Sequence, residues 1–134
     1  MGFLADIFSY YSANTTLTAA LPYAKVWTGL APEKSNTDFP YAVVVPLSST
    51  PNFTTGSNYF ESFSFQISVF DDDLDNVESI CQTIMSQFDY KSICGSPNIS
   101  CERENYLVTV DQDTPKLVYH GLIQYTLRKN RSLT

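Results

Sequence analysis

An α+β fold, in which a mainly antiparallel sheet of about five strands carries two α-helices on one face, is predicted by three features of this 134-residue chain. Phe63, Phe65, Ile67 and Val69 alternate with Ser62, Ser64, Gln66 and Ser68, the period-two pattern of a strand with one buried face. Leu74, Val77, Cys81, Ile84 and Phe88 recur at spacings of three and four, the stripe of an amphipathic helix. Only this one strong helical pattern interrupts a series of strand-like segments. A doubly wound parallel sheet needs a helix at every crossover, so antiparallel pairing is favoured.

The elements follow in order. Phe3, Leu4, Ile7, Phe8, Tyr10 and Tyr11 line one side of a short helix, which Asn14-Thr15-Thr16 breaks. A brief helical turn is expected from Leu17 to Leu21 before Pro22, then a strand from Lys25 to Leu30 and a loop through APEKSNTDFP, residues 31–40. Tyr41 to Val45 is nearly continuous in β-branched residues, as in a strand covered on both sides, and Pro46 marks its end or a bulge. SSTPNFTTGSN, residues 48–58, reads as a long polar connection. The alternating strand and the strong helix follow, the helix widened by Ile80 and Met85 and ending near Asp89. Residues 91–100 carry Gly95 and Pro97 and read as a loop. Two late strands, Arg103 to Val110 and Leu117 to Leu127, flank a turn at DQDTP, residues 111–115. No repeat or linker divides the chain, so residues 1–134 are expected to form a single domain of ordinary size.

Charge is unevenly spread. The net value is −6, distributed as −1 over residues 1–60, −9 over 61–113 and +4 over 114–134. An acidic middle cannot neutralise phosphates, which argues against tight nucleic-acid binding. The basic end is either a solvated tail or a surface that pairs with acidic groups of another molecule. Nine Tyr and nine Phe are many for this length and hint at contact surface beyond a single core.

Cys81, Cys94 and Cys101 lack the close spacing of a zinc site. Cys81 belongs to the helical stripe and reads as a buried small hydrophobe, whereas a Cys94–Cys101 bridge would need an oxidising compartment. The N-terminal apolar residues have no basic lead-in and are interrupted by Asp6, unlike a secretory leader. No apolar run approaches the roughly 20 residues of a membrane helix. These features predict a soluble intracellular product, with the sequons at Asn14, Asn52, Asn98 and Asn130 arising by chance.

Four aspartates, Asp71, Asp72, Asp73 and Asp75, crowd the junction between the alternating strand and the strong helix. Unpaired amides at a helix start accept an Asp cap, and the dipole favours early negative charge, so Asp72 or Asp73 is expected as N-cap with Asp75 and Glu78 in the first turns. A calcium loop would need a central Gly that this run lacks. An acidic contact surface is the remaining reading. His120 is the sole histidine and lies opposite the Leu117/Tyr119 face of the last strand, where it is expected at a surface or edge. No nucleophile elbow, phosphate loop or dinucleotide fingerprint accompanies it, so no catalytic residue, cofactor or metal is assigned.

The order of elements, and the segments FPYAVVVP (39–46), FSFQISVFDDDLDNVESICQTIMSQFD (63–89) and YHGLIQYTLR (119–128), resemble the tail-completion proteins of long-tailed bacteriophages, also called tail terminator or tail-to-head joining proteins. The resemblance spans residues 3–128 and rests on patterns rather than signature residues. It implies a non-enzymatic virion protein, assembled in the bacterial host cytoplasm, that closes into a ring, by resemblance a hexamer, on the head-proximal end of the tail tube. Such a ring stops tube growth, meets a head-completion or neck protein, and lets DNA pass without specific binding or membrane contact. The fold it implies, helices on an antiparallel sheet, agrees with the periodicities.

Against that background two contact regions are expected. Asn52, Phe53, Thr54 and Thr55 would reach a partner ring, and Arg128, Lys129 and Arg131 would meet acidic groups of a neighbouring copy or of the tube. Surplus carboxylates are expected to line the DNA passage, where like charge keeps the duplex from adhering. A head-closure or minor tail protein is the main alternative. A small α+β enzyme would require a concave pocket holding His120 and an aspartate, and a periplasmic binding module would require an export signal and a Cys94–Cys101 disulfide.

Overall fold

A computed structural model describes residues 3–28, 40–53, 58–91, 101–113 and 116–132. The order is α1 (Phe3–Ala13), α2 (Thr15–Ala20), a 3₁₀ turn (Tyr23–Lys25), β1 (Val26–Thr28), β2 (Tyr41–Phe53), β3 (Asn58–Asp71), α3 (Leu74–Phe88), β4 (Cys101–Asp113) and β5 (Lys116–Ser132). The strands form a single sheet in the order β1-β2-β3-β5-β4. β1 runs parallel to β2, and every other neighbouring pair is antiparallel. The α+β class and five strands are as the periodicities predict, with three helices in place of two.

The breaks between the N-terminal elements have identifiable causes. Asn14 interrupts the first helix and restarts the chain as α2, its side-chain oxygen accepting from the Leu17 amide at 3.1 Å. Tyr11 holds the pair together by donating its hydroxyl to the Leu21 carbonyl at 2.6 Å. α3 begins at Asp73, whose side chain accepts from the Asp75 amide at 3.1 Å. Past its C-cap Asp89, Tyr90 adopts the left-handed φ of 58° and donates its amide to the Cys101 carbonyl at 2.7 Å. That turn ties the helix end to the first residue of β4.

The core lies between the helices and one sheet face. Register places Ala42, Val69, Gly121 and Val108 in one cross-sheet row, Val44, Ile67, Ile123 and Tyr106 in the next, and Phe65, Tyr125 and Arg103 in a third. Val77, Ile80, Cys81, Ile84, Met85 and Phe88 of α3 are buried against these rows. Burial of a side chain of this kind stabilises by roughly 1.5–3 kcal/mol. Leu74, expected in the same stripe, is 37% exposed; at the first helical position it lies beyond the covered sheet. Gly121 has a structural reason: a Cβ there would collide with Cys81 Sγ and lie 2.9 Å from Val77 Cγ1.

One expectation is corrected outright. The stretch 48–58 is not a polar connection, because residues 48–53 continue β2 and Asn58 opens β3, paired from Ser48↔Ser64 to Phe53↔Tyr59. Hydroxyl-bearing residues can occupy a half-exposed strand, where cross-strand neighbours rather than burial support them. The register shifts once, between Pro46 and Ser48, which is the bulge that Pro46 foreshadows. Past Val44, β2 has no second strand partner among the described residues, an edge position of the kind at which a strand tolerates proline. Likewise residues 111–113, read as part of a turn, extend β4, and β5 starts at Lys116. The expected loops at 31–39 and 92–100 lie outside the described residues.

Candidate assembly interface

Strand length and helix length disagree, and the disagreement defines the surface of interest. The 15 residues of α3 rise about 22 Å, whereas the 14 residues of β3 extend about 46 Å. α3 starts beside Asp71 and runs back along β3 and β5 until Phe88 meets the ring of Tyr125, centroids 5.7 Å apart. Tyr125 stacks in turn on Phe65 at 5.6 Å, and Phe65 on Phe63 at 6.1 Å. There the Tyr125 hydroxyl donates to Asp89 Oδ1 at 2.8 Å, and Asp89 pairs with Arg103 at 3.6 Å. Burial, reinforced by the Asp89 carboxylate, pushes the Tyr125 phenol well above its ordinary range. The helix end is thereby pinned to one row of the sheet.

Beyond that row β2, β3 and β5 continue together. Asn52 and Phe53 stand opposite Phe60 and Tyr59, and Arg128, Lys129 and Arg131 stand opposite Ser62, Glu61 and Tyr59. Thr54 and Thr55 lie outside the described residues, as do the side chains of the other five candidates. Two regions that are far apart in sequence thus share one end of the sheet. The basic stretch is no frayed tail, since β5 keeps register with β3 as far as Ser132.

The opposite end is acidic. Asp72, Asp73, Asp75 and Glu78 are exposed at the start of α3, and Asp73 is the one that caps it. Asp71 is different: it is 3% exposed and accepts from the Asp72 amide at 2.7 Å and from the Asn76 side chain. Burial raises its carboxyl above the usual range, partly offset by the Asn76 hydrogen bond. Among the described residues no group of three or more His, Cys, Asp and Glu has the arrangement of a metal site.

His120 is not at an edge. β5 lies between β3 and β4, and on the face away from α3 the imidazole stacks on Phe70, 4.3 Å between centroids, which stacks on Tyr41 at 5.0 Å. Sequence patterning could not show this triplet, because the three rings come from three strands. Two hollows are lined by described residues. One is an apolar gap in the core bounded by Ile7, Tyr11, Val44 and Phe88; the other is an open cleft bounded by Phe8, Tyr23, Val26, Trp27 and Thr28. Neither is lined by His120 or by a carboxylate. At the cleft, Trp27 Nε1–H is buried with no acceptor among the described residues. Several of the abundant aromatics serve the core rather than a contact surface: Tyr11, Phe65, Phe88 and Tyr125 are buried, whereas Tyr23 and Tyr90 are exposed.

Comparison with known proteins gives one kind of match. No protein-family model matches the chain, and no curated protein sequence does. Among solved structures, a chain from the virion of a native gene transfer agent particle superimposes with a TM-score of 0.71 at 11% identity. The match covers 94% of this chain and 93% of that one. The two share a fold across nearly their whole lengths.

Proposed function

We propose that this protein is a structural component of a bacteriophage-type virion, and specifically the ring that caps the head-proximal end of the tail tube, ends its polymerisation and joins it to the head. The observation that carries this reading is the near full-length fold shared with a chain of a gene transfer agent virion. The resemblance of residues 3–128 to tail-completion proteins supplies the finer assignment. Within it the chain acts by contact alone: a neighbouring copy, the tube protein and a neck protein are its partners, and DNA passes through the opening.

A ring needs a heterologous contact, so each copy must offer two different surfaces whose rotation closes. The separated ends of this sheet are two such surfaces. The paired strands that carry Asn52, Phe53 and Arg128 to Arg131 extend from the helix-covered body, a form suited to reaching an adjacent ring or subunit. A weak pairwise contact suffices when the tube end gathers copies, because a template raises their effective concentration.

Deletion of the gene followed by electron microscopy of the lysate tests the proposal. Overlong or unjoined tails are expected. Empty heads with normal attached tails would overturn the terminator assignment in favour of another neck component.

A further inference from the structure

We propose that the outer edge of β4 is a self-association surface, on which β4 of a second copy pairs antiparallel about Leu107 and continues the sheet across two molecules. This contact goes beyond the function proposed above and does not rest on it. β4 is the last strand of the sheet and is bonded to β5 on one side. Among the described residues no strand lies along its other side, and no backbone hydrogen bond besides the β5 ladder reaches residues 104–110. The side chains leave the edge open as well: from Arg103 to Val110, all but Tyr106 and Val108 are exposed. Leu107 is 38% and Val110 51% exposed, on opposite faces of the strand.

An unpaired edge invites strand addition, and proteins ordinarily blunt it with proline, lysine, a bulge or a very short strand. The other side of this sheet is blunted in that way. β2, open past Val44, carries Pro46 and Pro51 and a register shift between Pro46 and Ser48, and β1 is three residues long. β4 has no such device over residues 105–110: NYLVTV holds no proline, glycine or charge, and the shift in the strand falls before it, between Arg103 and Asn105. Its Tyr, Val and Thr favour extended backbone. An edge left so receptive is accounted for by a regular occupant.

The occupant that fits is the same edge of another copy. A two-fold axis through Leu107 keeps like faces together and sets Leu107 against Leu107, Tyr106 against Val108 and Asn105 against Thr109. The exposed leucines are then covered, strand-forming residues meet on the face that carries α3, and no like charges stand opposed over this stretch. Such a contact is isologous, so it yields a pair of copies and not a ring. Within the pair the edge is closed to strands of other chains.

Disulfide trapping reads the register. In a Cys94→Ser background, Leu107→Cys should oxidise to a covalent dimer, because directly opposed strand residues hold their Cβ atoms about 4.5–5.5 Å apart. Asn105→Cys and Thr109→Cys should each stay monomeric alone, about 14 Å from their own counterparts at strand rise, and should cross-link to one another when mixed. Failure of Leu107→Cys to cross-link, or dimers of Asn105→Cys alone as abundant as in the mixture, would overturn the proposal. As a second measurement, Leu107→Lys sets two ammonium groups against each other at an exposed position. It should weaken self-association about tenfold or more in sedimentation while the circular dichroism spectrum is kept. A wild-type protein that stays monomeric at every concentration, or a variant that associates equally well, would also overturn it.

Discussion

Gly121 marks the closest approach of α3 to the sheet, and its missing side chain is what lets Cys81 and Val77 pack on β5. Gly121→Ala should destabilise the fold by about 1–3 kcal/mol, the cost of overpacking a filled site, measured by urea denaturation; an unchanged midpoint would mean that α3 can retreat freely. Cys81, fully buried and with its thiol pushed up to about 12 chiefly by burial, is a packing residue and not a nucleophile. Asp71 gives a pH signature. Its carboxyl is raised in the folded state, so the folded protein holds that proton more tightly than the unfolded chain does. The associated stability is present below the ordinary carboxylate value of about 3.9 and is lost as pH rises through the folded value. Asp71→Asn should flatten this slope in denaturation measured across the acid range; an identical slope would assign it to other carboxylates.

At the scale of elements, the strand pair β2–β3 is the point of greatest consequence. Paired strands protect amides from exchange where a polar connection does not, so the amides of residues 58–62, which lie between two strands, and those of 48–53 that face β3 should exchange slowly relative to an open loop in native-state hydrogen exchange. Exchange at loop rates would dissolve the extended end of the sheet and the interface placed on it. The sequence made α3 legible because a fifteen-residue stripe and an Asp cap are local facts. It made the inner half of β3 legible because burial on one face imposes alternation from Phe63 to Val69. The outer part of the neighbouring strand β2 was illegible: Ser48 to Phe53 carries a proline and three hydroxyls, and only its neighbour across the sheet shows it to be a strand. Leu74 misled for a related reason, since helical spacing gives a direction but not the extent of the surface beneath it.

For the whole molecule, the decisive property is that α3 covers only part of a long sheet, with exposed carboxylates at the start of that helix and the three basic positions of β5 at the far end of the sheet. Replacing Arg128, Lys129 and Arg131 together with Ser should lower ring assembly and tail joining while the folded state persists, because β5 is held to β3 through its backbone. Complementation of a deletion strain and electron microscopy of the tails would check it; full joining activity would remove the basic end from the interface. The candidate interface was half legible in the sequence. The segregation of charge, −9 in the middle and +4 at the end, is a matter of counting, but nothing in the order of residues says that Asn52 and Phe53 lie at the same end as Arg131.

By itself the sequence determined the α+β class, the strong helix and its Asp cap, and the burial of Cys81, because periodicity and capping act over a few residues. Tertiary structure alone decided that residues 48–53 are strand, that His120 lies on an inner strand and stacks on Phe70, and that the start of α3 and the basic stretch of β5 lie at opposite ends of the sheet. Those outcomes depend on which strands become neighbours and in what register, and pairing between distant segments leaves no periodic mark on either one.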